Sequence, residues 1–190
     1  MNKLSNSTKT NYSEVVKLSW IFYIIFIFVL YSFFGWILEE VYSYFIDGKF
    51  KNEGFLSSPF KPMYGIAMCL TTVCYHVLQV RGVFMWILFF IIPTVVEYIS
   101  GYLLKNIFHK EYWNYRSIKC NYKGLICLRF SIYWFILISI STILIEPIIY
   151  FIYSKQNKLF NIIGIIFVIY IGFDSIKSMK NGIEINIIDE

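Results

Sequence analysis

Five runs of apolar residues divide the chain, at about 18–46, 63–80, 83–104, 125–153 and 160–176. A membrane-crossing helix needs roughly 20 predominantly apolar residues, with a usual range of about 17–25. Each run therefore predicts a transmembrane helix. The second is short for this purpose and carries Cys69, Thr71, Thr72 and Cys74 among its apolar residues. Tight turns at 79–82 and 154–158 join the second run to the third and the fourth to the fifth. Two longer connections, 47–62 and 105–124, fall together on the opposite side. The pattern predicts an all-α, polytopic integral membrane protein. A single membrane domain spans 18–178, between a polar N-terminal tail (1–17) and a polar C-terminal tail (179–190). The first run is too long for a removable leader, and no small-x-small cleavage site follows it, so it is expected to stay as an anchor.

Composition agrees. The chain is 58% hydrophobic and 15% charged, where soluble domains have roughly 45–50% apolar and about 25% charged residues. The excess apolar surface needs lipid, which excludes a soluble enzyme, a disordered tail and a nucleic-acid-binding module. The net charge of +5 is spread over loops, so it is a topology signal. Eleven Lys and Arg fall on the side of the two long loops and six on the other. Both long loops and the C-terminus are thus expected in the cytoplasm and the N-terminus outside. Ala67 is the single alanine, while Ile, Phe, Tyr, Lys and Asn abound, the bias of an AT-rich genome. A bacterial cytoplasmic membrane is the expected setting. With alanine nearly absent, close helix contacts must fall on glycines and serines. Cys69, Cys74, Cys120 and Cys127 form no CxxC pair and match no zinc spacing with His109. No metal and no cofactor are predicted.

The first long loop combines helix breakers with apolar side chains. Gly54, Pro59, Pro62 and Gly65 permit turns, while Phe55, Leu56 and Phe60 are too apolar for a free loop. Irregular backbone at membrane depth requires protein cover, so the segment is expected to be partly re-entrant or to lie on the interface. In the second loop Phe108, Tyr112 and Tyr115 recur at helical spacing beside Trp113, with Lys110 and Arg116 interleaved. This spacing predicts a short amphipathic helix at the interface, its aromatics toward bilayer or protein and its charges toward water.

Glu39, Glu40, Glu97 and Glu146 interrupt the apolar runs. An ionisable group there costs ~2.5–3.5 kcal/mol on insertion scales and marks a functional candidate. Glu39 lies seven residues before Ile46, and Glu97 seven before Leu104, at the same membrane face. With a rise of 1.5 Å per residue, both carboxylates sit ~10 Å inside that face. Gly35 and Gly101 lie one turn from them and allow a close neighbour. The arithmetic predicts a common polar site beneath the loops. A static alternative pairs Arg129 with Glu39 or Glu97.

These segments together resemble the ABC-transporter type IV family of CmpB-like membrane proteins. The resemblance begins at Tyr31-Ser32-Phe33-Phe34-Gly35-Trp36-Ile37-Leu38-Glu39, similar to an aromatic-Gly-Trp-x-x-Glu opening. It continues through Asn52-Glu53-Gly54-Phe55-Leu56, Pro59, Pro62, Tyr64 and Gly65, then Glu97, Tyr98 and Gly101, then Trp113-Asn114-Tyr115, Asn121, Gly124, Cys127 and Trp134. It covers roughly residues 29 to 150. The chain departs from the pattern at Asn114, where the family usually has Asp, at Arg116, where Ser is common, and at Leu125, where Arg is frequent. Glu146 stands before Pro147 where the family often has His. An Asp–Arg pair of the family would be lost here.

The resemblance implies a permease-like membrane component of a transporter. No G-x-x-x-x-G-K-[ST] occurs, so a P-loop ATPase would have to be a separate subunit. Five spans are few for a complete path, so a homo-oligomer or a heteromeric assembly in the lipid bilayer is expected, without nucleic acid. An alternative is a membrane-embedded lipid-modifying enzyme, with Glu39 and Glu97 as acid and base and Lys61 or Arg129 on a phosphate. A non-catalytic regulatory subunit is the third reading.

Overall fold

The computed structural model describes residues 2–50 and 54–188, with side chains for 19–50 and 54–180. Helix α1 runs Asn2–Asp47, α2 Pro62–Thr72, α3 Val83–Ile107, α4 Leu128–Ile140, α5 Glu146–Lys155 and α6 Asn157–Ile188. Two π-helical segments interrupt the pattern: Val73–Val77 extends α2, and Ser141–Ile145 joins α4 to α5. A short antiparallel hairpin, β1 (Asn121–Tyr122) and β2 (Ile126–Cys127), sits between α3 and α4.

Among the described residues, four segments are long and apolar enough to cross a membrane: Ser19–Asp47, Val83–Ile107, Leu128–Lys155 and Asn157–Lys180. The sequence pattern predicted five such spans, and the difference lies at 63–80. There α2 has only 11 residues and its π extension 5. Contacts along α1 show how this segment is used. Lys61 N–H donates to Ser32 O at 2.8 Å, Cys69 Sγ donates to Ile24 O at 3.4 Å, and His76 packs against Trp20 at 5.8 Å. So α2 runs antiparallel to α1, from the middle of the first span to its beginning. The preceding residues 54–61 descend as irregular chain from the far end of α1. The crossing is half loop and half helix: the chain enters at the far end of α1 and leaves at its beginning, so the segment expected to be partly re-entrant is a broken span.

Glycine makes this approach possible. A Cβ on Gly65 would lie 2.4 Å from Phe28 O and 2.3 Å from Ser32 Oγ, and one on Gly35 would lie 2.3 Å from the Tyr64 ring. The loop is covered as its backbone requires. Leu56 and Phe60 are buried with Val29 and Ile171. Ser58 donates through both N–H (2.9 Å) and Oγ–H (2.5 Å) to Asp174 Oδ2 on α6. A second, larger core joins α1, α2, α3 and α4 around Tyr23, Ile27, Met68, Phe89, Trp134 and Ile138. Between a tenth and a third of each span's most apolar window is buried, and α6, at 11%, is the most peripheral. The remaining apolar surface, including Phe45, Phe84, Ile148 and Phe173, needs a bilayer to cover it.

The amphipathic helix expected in the second loop is not formed. Among the described residues no helix lies between Ile107 and Leu128. His109, Cys120 and Lys123 adopt positive φ, which stops helical propagation. The aromatics are used singly instead. Phe108 is buried and packs against Phe55 of the first loop at 5.1 Å. Tyr115 stacks on Phe130 at 4.7 Å, while Lys110 and Arg116 stay exposed.

Candidate functional site

The two long loops meet, through Phe55 and Phe108, over a cluster of polar side chains toward the end of α1. Glu39 on α1 forms an ion pair with Lys61 at 2.9 Å, both side chains about one-fifth exposed (21% and 18%). Lys61 stands immediately before Pro62, the first residue of α2. Proline is favoured there because the missing N–H has no intrahelical partner in any case. The half-helix therefore begins beside the Glu39 carboxylate. Gly54 closes over the pair: a Cβ there would lie 3.1 Å from Lys61 Nζ.

Glu97 on α3 belongs to the same cluster and is 2% exposed. Its Oε1 accepts a hydrogen bond from Tyr115 Oη at 2.9 Å. Burial and then the nearby Glu97 charge push the Tyr115 hydroxyl well above its ordinary pKa, so it remains a donor. Trp134 lies beside the same carboxylate, but outside good hydrogen-bond geometry, and Glu97 Oε2 has no partner. Tyr64 stands between the two acids. Its hydroxyl is within reach of Glu39, it feels the charge of both carboxylates, and its ring packs on Trp134 at 4.5 Å. Glu39 and Glu97 act electrostatically on one another.

The second loop is shaped to deliver Tyr115. Gly101, one turn after Glu97, admits Trp113, whose ring would lie 3.0 Å from an added Cβ. Trp113 Nε1–H donates to Leu125 O at 2.9 Å, and Tyr115 N–H to Gly124 O at 2.9 Å. Gly124 has φ +71, and a Cβ there would lie 2.7 Å from the Arg116 side chain. Asn121 Oδ1 accepts Gly124 N–H at 3.1 Å. Asn114 accepts Arg116 N–H and donates to Glu111 Oε2, both at 2.9 Å. An Asp could not make the second bond, so Asn114 suits its own surroundings. Leu125 is buried against Gly101. Lys105 donates to Glu111, and this bond, with the charges of Lys105 and Arg116, holds the Glu111 carboxyl below the usual range.

Glu39, Tyr64, Glu97 and Tyr115 are thus brought together, with Gly35, Gly54, Gly65, Gly101, Trp113 and Gly124 shaping their approach. Trp36 packs on Phe33 at 5.9 Å behind the site, Pro59 is exposed in the loop, and Asn52 lies outside the described residues. Arg129 does not pair with either acid. Its Nε donates to Tyr133 Oη at 3.0 Å on an exposed face. One helical turn fixes both groups on the outside of α4, whereas Lys61 enters from the irregular loop. The sequence reading missed Asp174, although it interrupts the fifth apolar run by the same criterion as the glutamates. It also passed over His76, a lone polar ring in a short run.

No curated protein and no solved structure matches the chain. Residues 26–179 match the family described as Putative ABC-transporter type IV. The match takes in both long loops, the half-helix and every residue of the cluster, and the chain belongs to this family.

Proposed function

We propose that the chain is the membrane-embedded permease component of an ABC-type transporter, and that the cluster beneath the loops handles a positive charge, as a proton or as the cationic part of a substrate. Glu97 carries this reading. It is 2% exposed, and Oε2 has no partner, while Lys61 occupies Glu39. A carboxylate left half-satisfied at membrane depth is costly unless it is used. The setting supports the same role. A half-helix starting mid-membrane behind irregular, protein-covered chain is an arrangement transporters use to build polar sites.

ATP hydrolysis belongs to a separate subunit in this reading, since the chain has no P-loop. Purification from native membranes in mild detergent should yield a complex with an ATP-binding chain. Glu97→Gln should abolish transport-coupled ATP hydrolysis while leaving assembly and melting nearly unchanged, because the amide keeps the shape but cannot take a proton or pair a cation. Recovery of the chain without an ATP-binding partner, or lipid turnover by the isolated chain, would overturn the reading. Orientation is tested separately, in intact cells. With Glu53→Cys and Ile118→Cys, both loops should resist an impermeant thiol reagent added outside intact cells.

A further inference from the structure

A second polar cluster lies toward the other end of α1. Glu146 is 1% exposed, and His76 Nε2 lies 3.3 Å from its Oε1 without hydrogen-bond alignment. Neither Glu146 oxygen has a hydrogen-bond partner, and neither do the buried hydroxyls of Tyr23, Tyr31, Thr72 and Thr142. Tyr23, Tyr31 and Cys69 all feel the Glu146 charge. Thr72 and Thr142 precede His76 and Glu146 by one helical turn. Each unsatisfied buried polar group costs ~1–3 kcal/mol, and native proteins hold few of them. Their concentration around one carboxylate is not explained by packing.

The backbone is irregular at the same place. His76 sits within the π segment Val73–Val77, and Glu146 directly follows the π segment Ser141–Ile145. Pro147 cannot donate to the turn before it, and the widened helix accommodates this. Single π turns within α-helices are frequent at functional sites.

Charge neutrality selects the occupant. An ionised Glu146 beside a neutral imidazole leaves one negative charge at membrane depth. A doubly protonated pair leaves one positive charge. Only a single proton shared by the two residues makes the cluster neutral. The other ionisable groups facing it are Tyr23 and Tyr31 from α1, Cys69 from α2, and Tyr150 and Tyr153 from α5. All are ordinarily uncharged near pH 7. Arg81 reaches the carbonyl of Tyr75, but from the exposed rim. The His76 side chain is 30% exposed and Glu146 only 1%, so the imidazole is the member that meets the surroundings.

We propose that Glu146 and His76 form a proton-binding site in the half of the membrane opposite the long loops, holding one proton between them and loading it through the imidazole. A proton taken up on His76 Nδ1 makes the imidazolium, and the proton on Nε2, which is buried 3.3 Å from Oε1, passes to Glu146, leaving a neutral imidazole beside a neutral carboxyl. The reverse transfer discharges it. No bond other than N–H and O–H is made or broken. The site is separate from the cluster at Glu97 and stands whether or not that cluster serves transport.

The chain contains only two histidines, which makes the test direct. The full-length protein, carrying His109→Gln and 15N-labelled histidine, is placed in lipid nanodiscs near pH 7. The imidazole 15N shifts report His76, and the infrared difference between this protein and its Glu146→Gln derivative reports the Glu146 carboxyl. The expected result is one proton per pair, either as imidazolium with carboxylate or as neutral imidazole with a protonated-carboxyl band. In His76→Gln the proton has only Glu146 to occupy, so the full band of one carboxyl must appear. A neutral imidazole beside an ionised Glu146 would overturn the proposal. So would protonation of both groups, or a His76→Gln protein lacking the band. If the ionised state appears with sodium but not with choline as the salt, the occupant is a metal cation instead.

Discussion

The two polar clusters share α1 and differ in how they are satisfied. At the loop end Glu39 is paired with Lys61, and one oxygen of Glu97 is held by Tyr115. At the other end both Glu146 oxygens and four nearby hydroxyls lack hydrogen-bond partners. The loop site is made by irregular chain that can place a lysine or a tyrosine where a carboxylate needs one. The Glu146 site is made by helices alone, whose side chains are confined to fixed directions. Partnering follows from the building material: loops deliver specific bonds, while facing helices leave polar atoms to be met by something mobile.

The largest expected effect removes the contrast altogether. Gly65→Ala places a methyl group 2.4 Å from a backbone oxygen of α1, and backbone cannot yield as a flexible side chain does. A loss of about 3 kcal/mol is expected, read as a lower melting temperature in detergent. Because α2 carries Tyr64 at its start and leads into His76, both sites should be disturbed together. If only one were, the two would not depend on a common helix.

Lys61→Met strands Glu39 without its cation. Removing one partner of a fully buried pair costs ~3–5 kcal/mol, and the partial exposure here reduces this to about 1–2 kcal/mol. Adding Glu39→Gln should recover most of the loss in a melting assay. No recovery would mean that the lysine acts through packing. Tyr115→Phe is a smaller change, about 1–2 kcal/mol for a hydrogen bond to a charged or ionisable group. A negligible loss on chemical denaturation would show that the loop site is no better tied than the Glu146 cluster.

The smallest effect concerns pH. The Glu111 carboxyl is held below the usual range in the folded protein, first by the hydrogen bond from Lys105. Its contribution is therefore fully present above the ordinary carboxylate value, about 4.3, and is lost as pH falls through the depressed folded value. The second loop should become more susceptible to an acid protease below roughly pH 4. Glu111→Gln should flatten that dependence.

The long helices were legible because run length and apolar content alone determine them. The irregular, protein-covered stretch was legible from an unusual combination, Gly54, Pro59 and Pro62 among Phe55, Leu56 and Phe60. That Glu39 and Glu97 both act on Tyr64 is in keeping with their equal depth, seven residues from the same face. Their partners could not be anticipated. Phe108, Tyr112 and Tyr115 fit a helical period over too short a window to distinguish a helix from separate pegs, and positive φ at His109 and Cys120 decided against the helix. Arg129 was the expected cation because it lies near the start of the fourth span on the same side. Its side chain points away, a matter of rotation about α4 that charge spacing does not report. Lys61 reached Glu39 only because the loop enters the membrane.

The bond between Ser58 and Asp174 joins residues 116 positions apart. Its consequence concerns time. During synthesis the irregular stretch emerges long before the helix that anchors it. Residues 54–61 must therefore wait, supported by α1 and by Phe108, until α6 has been made and has packed alongside. The loop-side cluster is consequently among the last features to mature. The Glu146 cluster, whose groups all lie before residue 154, can assemble earlier. A ribosome that stalls after α5 would release a chain with its deep pair in place and Ser58 still without its anchor on Asp174.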